Sequence, residues 1–338
     1  MKWVGQCGEC QAWDTLREGS VGGGKGLGSV RAVKASVIVA SSAARPITEI
    51  STDSVASRGT GVAEFDRVLG GGLVPGAVVL LSGEPGVGKS TLLLEVAAKT
   101  AQGGARVLYV SGEESVGQIR LRAERTGALS ENLFLASETD LGSVLGQIEA
   151  VKPELLVVDS VQTIAHAEID GAAGMPSQIR EVATNLIRIA KDQNLPIILV
   201  GHVTKDGNIA GPRALEHLVD VVCHFEGDRQ TSLRFVRSLK NRFGPTDEVG
   251  CFEMTGEGIR EVSDPSGLFL SRGDTPVSGT CVTVAVEGKR ALIAEVQALV
   301  VKSSSPNPRR VTNGVDSSRV AMLLAVLERR AGIDRKSV

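Results

Sequence analysis

One stretch decides the fold of this chain: Gly83-Glu84-Pro85-Gly86-Val87-Gly88-Lys89-Ser90-Thr91. Its pattern is GxxxxGK[ST], and it joins an apolar run at 77–81, typical of a buried strand, to residues 92–98, which predict a helix. This strand–turn–helix context distinguishes it from a chance glycine turn. Such a turn aims backbone N–H groups and the positive end of the helix dipole at one point.

The chemistry of this turn suits a chain of phosphates. Its glycines permit the backbone conformations that bring N–H groups against phosphate oxygens. Lys89 is then placed to reach the terminal phosphates, and the hydroxyl of Ser90 is placed to ligate Mg²⁺. We therefore predict that residues 83–91 bind a nucleoside triphosphate with Mg²⁺.

The bulk composition excludes several classes of protein. The 338 residues are 42% hydrophobic and 22% charged, and the formal net charge is −2. This balance excludes a uniformly basic nucleic-acid protein, although a local basic channel is compatible with it. No apolar run approaches the ~20 residues of a membrane span, and the N-terminus lacks a signal-peptide segment. Five cysteines, three of them scattered, do not resemble a secreted disulfide framework. We expect a cytoplasmic protein with no membrane partner.

Strands and helices alternate along the chain after the glycine-rich turn. Buried strands are predicted at 106–110, 133–136, 155–160 and 196–202, and helices at 60–69, 140–152 and 178–193. The alternation predicts an α/β fold in which helices flank a mostly parallel sheet, with ligands at the carboxyl ends of the strands. From Val221 the rhythm changes to short strands joined by turns, which predict an antiparallel extension of the same sheet, at 221–225, 233–240 and 250–254.

Polar side chains at the ends of these strands are candidates for hydrolysis chemistry. Asp159 closes an apolar strand, from which a carboxylate can order Mg²⁺ opposite the phosphate loop, although an aspartate there also caps turns. Of Glu113 and Glu114, we favour Glu113 as the catalytic residue that orients and deprotonates the attacking water. The alternative is that both acids only favour the next helix N-terminus. His202, at a strand tip, is a further candidate catalytic residue, which would sense the γ-phosphate or relay to bound substrate, and a structural histidine is the alternative.

Two groups of cations are candidates for further phosphate contacts. Lys240 and Arg242, in the string Lys240-Asn241-Arg242-Phe243-Gly244, alternate on a strand and therefore project together. We interpret them as catalytic residues that reach the γ-phosphate of a neighbouring subunit, as an arginine finger does, rather than as a solvated basic turn. Lys205 and Arg213, with the glycine-rich loop 207–211, are candidate DNA-binding residues, and a solvated loop is the alternative.

The two ends of the chain are predicted to be incomplete units. Cys7 and Cys10 form a CxxC turn, which supplies two thiolates of a tetrahedral zinc site. Four explanations stay open: a zinc ribbon without its first half, a site completed by another chain, a redox pair, or coincidence. We expect a partial zinc finger at 1–18, a flexible linker at 19–46, a nucleotide-binding domain at 47–264, and the opening part of a further domain at 265–338.

Taken together, these strings resemble the RadA/Sms family of bacterial DNA-repair proteins, which are RecA-like ATPases related to the replicative DnaB helicases. The resemblance lies in Cys7/Cys10, 60–73, 83–91, 111–115, 201–205 and 240–244, of which the last is the most distinctive. It implies a hexameric ring that binds single-stranded DNA, uses ATP to extend recombination intermediates, and works beside the RecA recombinase. It also implies that Lys89 is the Walker lysine and Asp159 the Mg²⁺-ordering aspartate.

The resemblance further implies a RecA-like P-loop NTPase core, a four-cysteine Zn²⁺ finger before it, and a C-terminal α+β domain shaped like the Lon protease domain without peptidase activity. We interpret this chain as having only the second CxxC and only the start of the Lon-like domain, from about Gly267. Tight zinc binding is therefore not expected, and ring assembly and DNA contact, which the outer domain supports in the resembled family, are expected to be impaired. We predict a DNA-dependent ATPase of recombinational repair that drives branch migration. The alternatives are a nucleotide-switched DNA-binding mediator and a KaiC-like signalling ATPase, whereas a Lon-type protease is disfavoured by the lack of a recognisable Ser/Lys dyad.

Overall fold

The computed structural model describes residues 46–49, 56–202, 215–227, 232–264, 277–301 and 310–332. The chain divides into two compact units, Met1–Ser51 and Thr52–Val338. In the first unit the description covers a short 3₁₀ turn, Ile47–Glu49. The predicted zinc ligands Cys7 and Cys10, the predicted linker as far as residue 45, and the candidate DNA-binding residues Lys205 and Arg213 all lie outside the described residues.

Nine of the described strands form one sheet, and its central strands are apolar because both faces are covered. Each residue of the strand before the glycine-rich turn is buried. The sheet strands are β1 Val78–Gly83, β2 Val107–Ser111, β3 Leu133–Ser137, β4 Leu155–Asp159, β5 Ile197–His202, β6 Val221–Glu226, β7 Leu233–Asn241, β8 Val249–Thr255 and β9 Gly258–Glu261.

The strand order is β3-β2-β4-β5-β1-β6-β7-β8-β9. Strands β1 to β6 are parallel, and antiparallel pairing begins between β6 and β7. The prediction that the antiparallel extension starts at Val221 is therefore wrong for β6, which pairs in parallel with β1 through Val79 and Val221. The reason is the connection, since a long crossover precedes β6 and only the links after it are short enough for hairpins. The strand β9 was not predicted.

Helices cover the two faces of the sheet. Val79 and Leu81 of β1 belong to one hydrophobic cluster, and Val78 and Leu80 belong to the other, as the alternation of side chains along a strand requires. Burying each such side chain stabilises the fold by about 1.5–3 kcal/mol. The helices are α1 Ala63–Leu69, α2 Lys89–Gln102, α3 Val116–Thr126, α4 Leu141–Val151, α5 Pro176–Gln193 and α6 Ser317–Ala331.

The first three helices pack on one face and the next two on the other. Phe65 of α1 and Ile119 of α3 lie in the same cluster as the buried side of α2. Ile148 of α4 and Leu186 of α5 lie in the opposite cluster. Helix α5 begins two residues before its predicted start because Pro176 suits the first helical turn. The sandwich therefore places the carboxyl ends of the parallel strands at one open edge.

A separate antiparallel hairpin, β10 Thr280–Glu287 and β11 Arg290–Gln297, follows the large sheet. Its turn contacts the segment just before β8: the backbone N–H of Lys289 donates to the carbonyl of Asp247 at 2.7 Å. Gly288 has φ +60°, and a Cβ there would lie 1.9 Å from the carbonyl oxygen of Asp247, so only glycine fits this turn. The guanidinium of Arg290 pairs with the buried carboxylate of Glu64 on α1.

The assignment of residues 265–338 to a Lon-like domain stays a prediction.

Among the described helices, none is both long enough and apolar enough to cross a membrane.

Candidate nucleotide site

The glycine-rich turn runs directly from β1 into α2. Gly88 caps the helix with φ +109°, a conformation that favours glycine, and no side chain accepts a hydrogen bond at this helix start. The first turn of α2 also lacks an acidic residue. Helix α3 differs, because Ser115 and Gln118 form a full capping box at its start. The N–H groups and dipole at the start of α2 are therefore available to an anion.

Lys89 is held inside this turn. The residue is 4% exposed, and its ammonium donates to the carbonyl oxygens of Gly83 at 2.8 Å and Glu84 at 2.9 Å. Burial lowers the pKa of Lys89 to about 8, although the nearby charges of Asp159 and Glu113 act to raise it. Phosphate oxygens are stronger acceptors for an ammonium than the loop carbonyls are. The residues present therefore fit a triphosphate, and Ser90 follows Lys89 in the first turn.

Asp159 ends β4 beside the end of β2, where it is paired in register with Ser111. The residue is 4% exposed, and its Oδ2 accepts a hydrogen bond of 2.6 Å from the hydroxyl of Tyr109. Sequence reasoning missed Tyr109, because a tyrosine in an apolar strand is most simply a core residue. A carboxylate at this point, together with the hydroxyl of Ser90, is the kind of oxygen donor set that Mg²⁺ prefers.

The two neighbouring glutamates have different surroundings. Oε1 of Glu113 accepts a hydrogen bond from Ser160 at 2.7 Å and lies 3.1 Å from Nε2 of His202. Glu114 forms a bidentate ion pair with Arg122, with distances of 2.6 and 3.2 Å. Glu113 therefore faces the carboxyl ends of the strands, while Glu114 is paired with Arg122 on α3. Ser160 was not predicted, although it directly follows Asp159.

His202 is brought to the phosphate loop by the pairing of β5 with β1, since its register partner is Gly83. Its Nδ1 is buried and has no hydrogen-bond partner among the residues that the structure describes. Four predicted residues thus converge at one edge of the sheet: Lys89, Glu113, Asp159 and His202. Such an arrangement supplies a cation for phosphates, a carboxylate for a metal and a carboxylate for water.

Lys240 and Arg242 do not join this group within the chain. Lys240 pairs in register with Val222 near the start of β6, which runs parallel to β1, so both cations lie at the opposite edge of the sheet. The ammonium of Lys240 donates to the carbonyls of Glu216 at 2.8 Å and Val219 at 2.7 Å. Arg242, more than half exposed, pairs at 2.9 Å with Asp220, whose carboxylate is buried.

The other end of β7 contacts the phosphate loop directly. Nε of Arg234 donates to the carbonyl of Val87 at 3.0 Å. The sulfur of Met254, on β8, lies 3.1 Å from the position that a Cβ on Gly88 would take. The antiparallel strands thus support the loop from a side that the sequence patterns did not indicate.

The predicted metal ligands divide into two sets. Ser90 and Asp159 lie at the phosphate loop and at the end of β4, as described above. In the described ranges no group of three or more His, Cys, Asp or Glu side chains is arranged to hold a metal ion. Cys7 and Cys10 lie outside those ranges, so the zinc prediction stays a prediction.

Comparison with known proteins gives consistent results. A family model described as an AAA domain matches residues 45–208. The chain is 56% identical to a DNA repair protein RadA of Mycolicibacterium smegmatis over 335 residues, which are 97% of this chain and 71% of that protein. It is 53% identical to RadA of Mycobacterium tuberculosis strain H37Rv, covering 98% of this chain and 68% of that protein. For RadA of Bacillus subtilis the identity is 46%, with 98% and 72% covered.

Among solved structures, the chain is similar to an ATPase domain, with a TM-score of 0.52 and 16% sequence identity. The match covers 61% of this chain and 90% of that one. At this identity the likeness concerns the fold alone. With the sheet order above, it confirms the predicted α/β class with a RecA-like core.

Proposed function

The chain belongs to the RadA family of DNA repair proteins, and we propose that it is a DNA-dependent ATPase that works as a ring-forming motor on single-stranded DNA. ATP hydrolysis and a place in DNA repair follow from this membership. The single observation that carries the finer proposal is the division of its charged residues between two edges of one sheet. Lys89, Glu113 and Asp159 lie at one edge, and Lys240 and Arg242 lie at the other.

The first edge would carry out binding and attack. Lys89 holds the terminal phosphates, while Ser90 and Asp159 hold Mg²⁺, which neutralises charge on the phosphates when it is bound. Glu113 orients the attacking water and accepts its proton. Ser160 and His202 both contact Oε1 of Glu113. In the part of the chain that the structure describes, no hydrogen bond reaches the second oxygen of that carboxylate, which would be left for the water.

The second edge would act on a neighbouring subunit. Lys240 and Arg242 are separated from their own phosphate loop by the length of the central strands, so a γ-phosphate within their reach belongs to another copy. There they would neutralise charge that develops in the transition state. A head-to-tail contact of this kind repeats from copy to copy and closes into a ring, for which we propose six subunits.

The remaining parts of the proposal come from the family resemblance. Lys205 and Arg213 would contact the DNA backbone. Hydrolysis would change the subunit contact that contains Lys240 and Arg242, and the DNA-binding residues of neighbouring subunits would then move relative to one another. The consequence would be branch migration of recombination intermediates beside the RecA recombinase in the cytoplasm. A Zn²⁺ finger would need ligands in addition to Cys7 and Cys10.

The first test measures ATP turnover with and without single-stranded DNA for the wild-type chain and for Lys89→Ala. We expect turnover that DNA stimulates in the wild type and that the variant loses. Lys99→Ala is a matched control, because Lys99 lies on the same helix with its side chain about half exposed, and it should leave turnover unchanged. Normal turnover in Lys89→Ala, or turnover that ignores DNA, would contradict the proposal.

A mixing experiment separates action in trans from action in cis. Lys89→Ala and Lys240→Ala are each expected to be inactive alone. In mixed rings, a Lys240→Ala subunit keeps its phosphate loop and meets the intact Lys240 of a Lys89→Ala neighbour. Random mixing should restore about a quarter of wild-type turnover, because a heterologous interface pairs the two intact edges at that frequency. A mixture as inactive as its components would place Lys240 outside any shared site.

A further inference from the structure

The only tyrosine of the chain lies at the centre of the candidate site. Tyr109 is fully buried on β2, in the cluster that faces α2, and it is among the largest of the fully buried side chains. Phenylalanine would fill the same space without a polar atom. A buried hydroxyl destabilises a core unless it forms a hydrogen bond, so the partner of this hydroxyl is informative.

That partner is the carboxylate of Asp159. Tyr109 lies one strand away from Asp159, and its hydroxyl donates to Oδ2 at 2.6 Å. This distance is typical of a hydrogen bond from a neutral hydroxyl to a charged oxygen, which is the stronger kind.

The contact constrains the one part of Asp159 that the sheet leaves free to rotate. The main chain of Asp159 is held by the sheet edge, where its carbonyl accepts from the N–H of Gly112 at 3.0 Å. Its side chain, by contrast, rotates about a terminal bond with broad preferences. Among the described residues, hydrogen bonds to this carboxylate reach Oδ2 only. The second oxygen therefore has a set direction and an open coordination position.

We propose that Tyr109 is a positioning residue that fixes the Asp159 carboxylate so that its second oxygen orders the Mg²⁺ accompanying a bound triphosphate. The inference rests on the proposed nucleotide hydrolysis and deepens it. Partners of this kind typically change metal affinity 10–100-fold when they are removed. Because Tyr109 is fully buried, it would not touch a bound nucleotide, and its loss should act through Mg²⁺ alone.

The test measures binding of a fluorescent ADP to the full chain, in EDTA and across a Mg²⁺ titration. Tyr109→Phe should raise the Mg²⁺ concentration for half-maximal binding about 10-fold. Affinity in EDTA should stay within about 2-fold, because the phosphate loop is unchanged. Thr100→Val is the matched control: it also removes a buried hydroxyl, one that donates at 2.7 Å to the carbonyl of Val96. The control should leave the Mg²⁺ dependence unchanged.

A second measurement uses the wild-type chain and so does not depend on a variant that folds. With tyrosine labelled by ¹³C at Cζ, Tyr109 gives one resonance from the whole protein. Adding Mg²⁺ to the ADP complex should shift this resonance, because the cation would withdraw electron density from the Asp159 carboxylate and so change the hydrogen bond that Tyr109 donates to it.

An unchanged Mg²⁺ dependence in Tyr109→Phe, or a resonance that ignores Mg²⁺, would make Tyr109 a core residue only. If the wild type bound no ADP under either condition, the proposed function itself would fail, and that outcome is distinguishable from the others.

Discussion

Adjacent glutamates provide the sharpest test of the proposed chemistry. Glu113→Gln and Glu114→Gln make the same chemical change at neighbouring positions of the same turn. In Glu113→Gln the side-chain carbonyl oxygen still accepts the hydrogen bond that Ser160 donates at 2.7 Å, so the local geometry should persist. What the amide loses is the ability to accept a proton from water.

The expected sizes differ by orders of magnitude. A positioned general base contributes about 10²–10⁴-fold to a rate, which corresponds to roughly 3–5 kcal/mol of activation free energy. Glu114 instead forms a partly exposed pair with Arg122, at 2.6 Å. Such pairs contribute at most about 1 kcal/mol to the free energy of unfolding. We therefore expect Glu113→Gln to lose hydrolysis while it keeps ADP affinity, and Glu114→Gln to lose a little stability while it keeps hydrolysis.

The assay is single-turnover hydrolysis of ATP with single-stranded DNA present, together with ADP affinity and thermal unfolding for both variants. A rate loss of similar size in the two variants would show that the turn tolerates neither change and that neither acid has a special role. Loss in Glu114→Gln alone would exchange the two assignments. Weaker ADP binding in Glu113→Gln would indicate a binding role instead of a base.

Two further predictions concern stability. Because the pKa of Lys89 is lowered to about 8, the unfolded chain binds more protons than the folded one from about pH 8 to the unperturbed lysine value, so folding is stabilised as pH rises through that window. Relative to Lys89→Met, the free energy of unfolding of the nucleotide-free wild type should rise by about 1–2 kcal/mol across this pH window, which is less than the full pKa shift would give because water reaches part of the site. Urea unfolding measures it, and a difference between the two proteins that does not change with pH would contradict the prediction. Arg290→Met removes the nearer of two cations from the buried carboxylate of Glu64, since Arg67 lies 3.6 Å from it, and should weaken docking of the hairpin by about 2 kcal/mol, seen as faster hydrogen exchange at 280–297. Lys289→Met, which removes an exposed pair on the same turn, should have a smaller effect, and equal effects would refute a special role for Arg290.

Much of the fold was set by local pattern. Residues 83–91 predicted the phosphate loop, and apolar runs of about five residues located the parallel strands within one or two positions. The carboxyl ends of parallel strands share an edge, so this pattern alone predicted that Lys89, Asp159 and His202 would lie together. These signals are local because a strand buried on both faces must be continuously apolar.

The tertiary structure decided what depends on contacts across the sheet. Whether β6 runs parallel or antiparallel is set by the path of its connection, and short strands look alike in either direction. The hydrogen bond from Tyr109 to Asp159 joins residues about fifty positions apart. The different surroundings of Glu113 and Glu114 depend on the pairing of Glu114 with Arg122, about eight positions further along the chain. Composition and periodicity describe one segment at a time, so they place a side chain on a face of its own strand. Which atom that side chain meets is fixed only when neighbouring strands come into register.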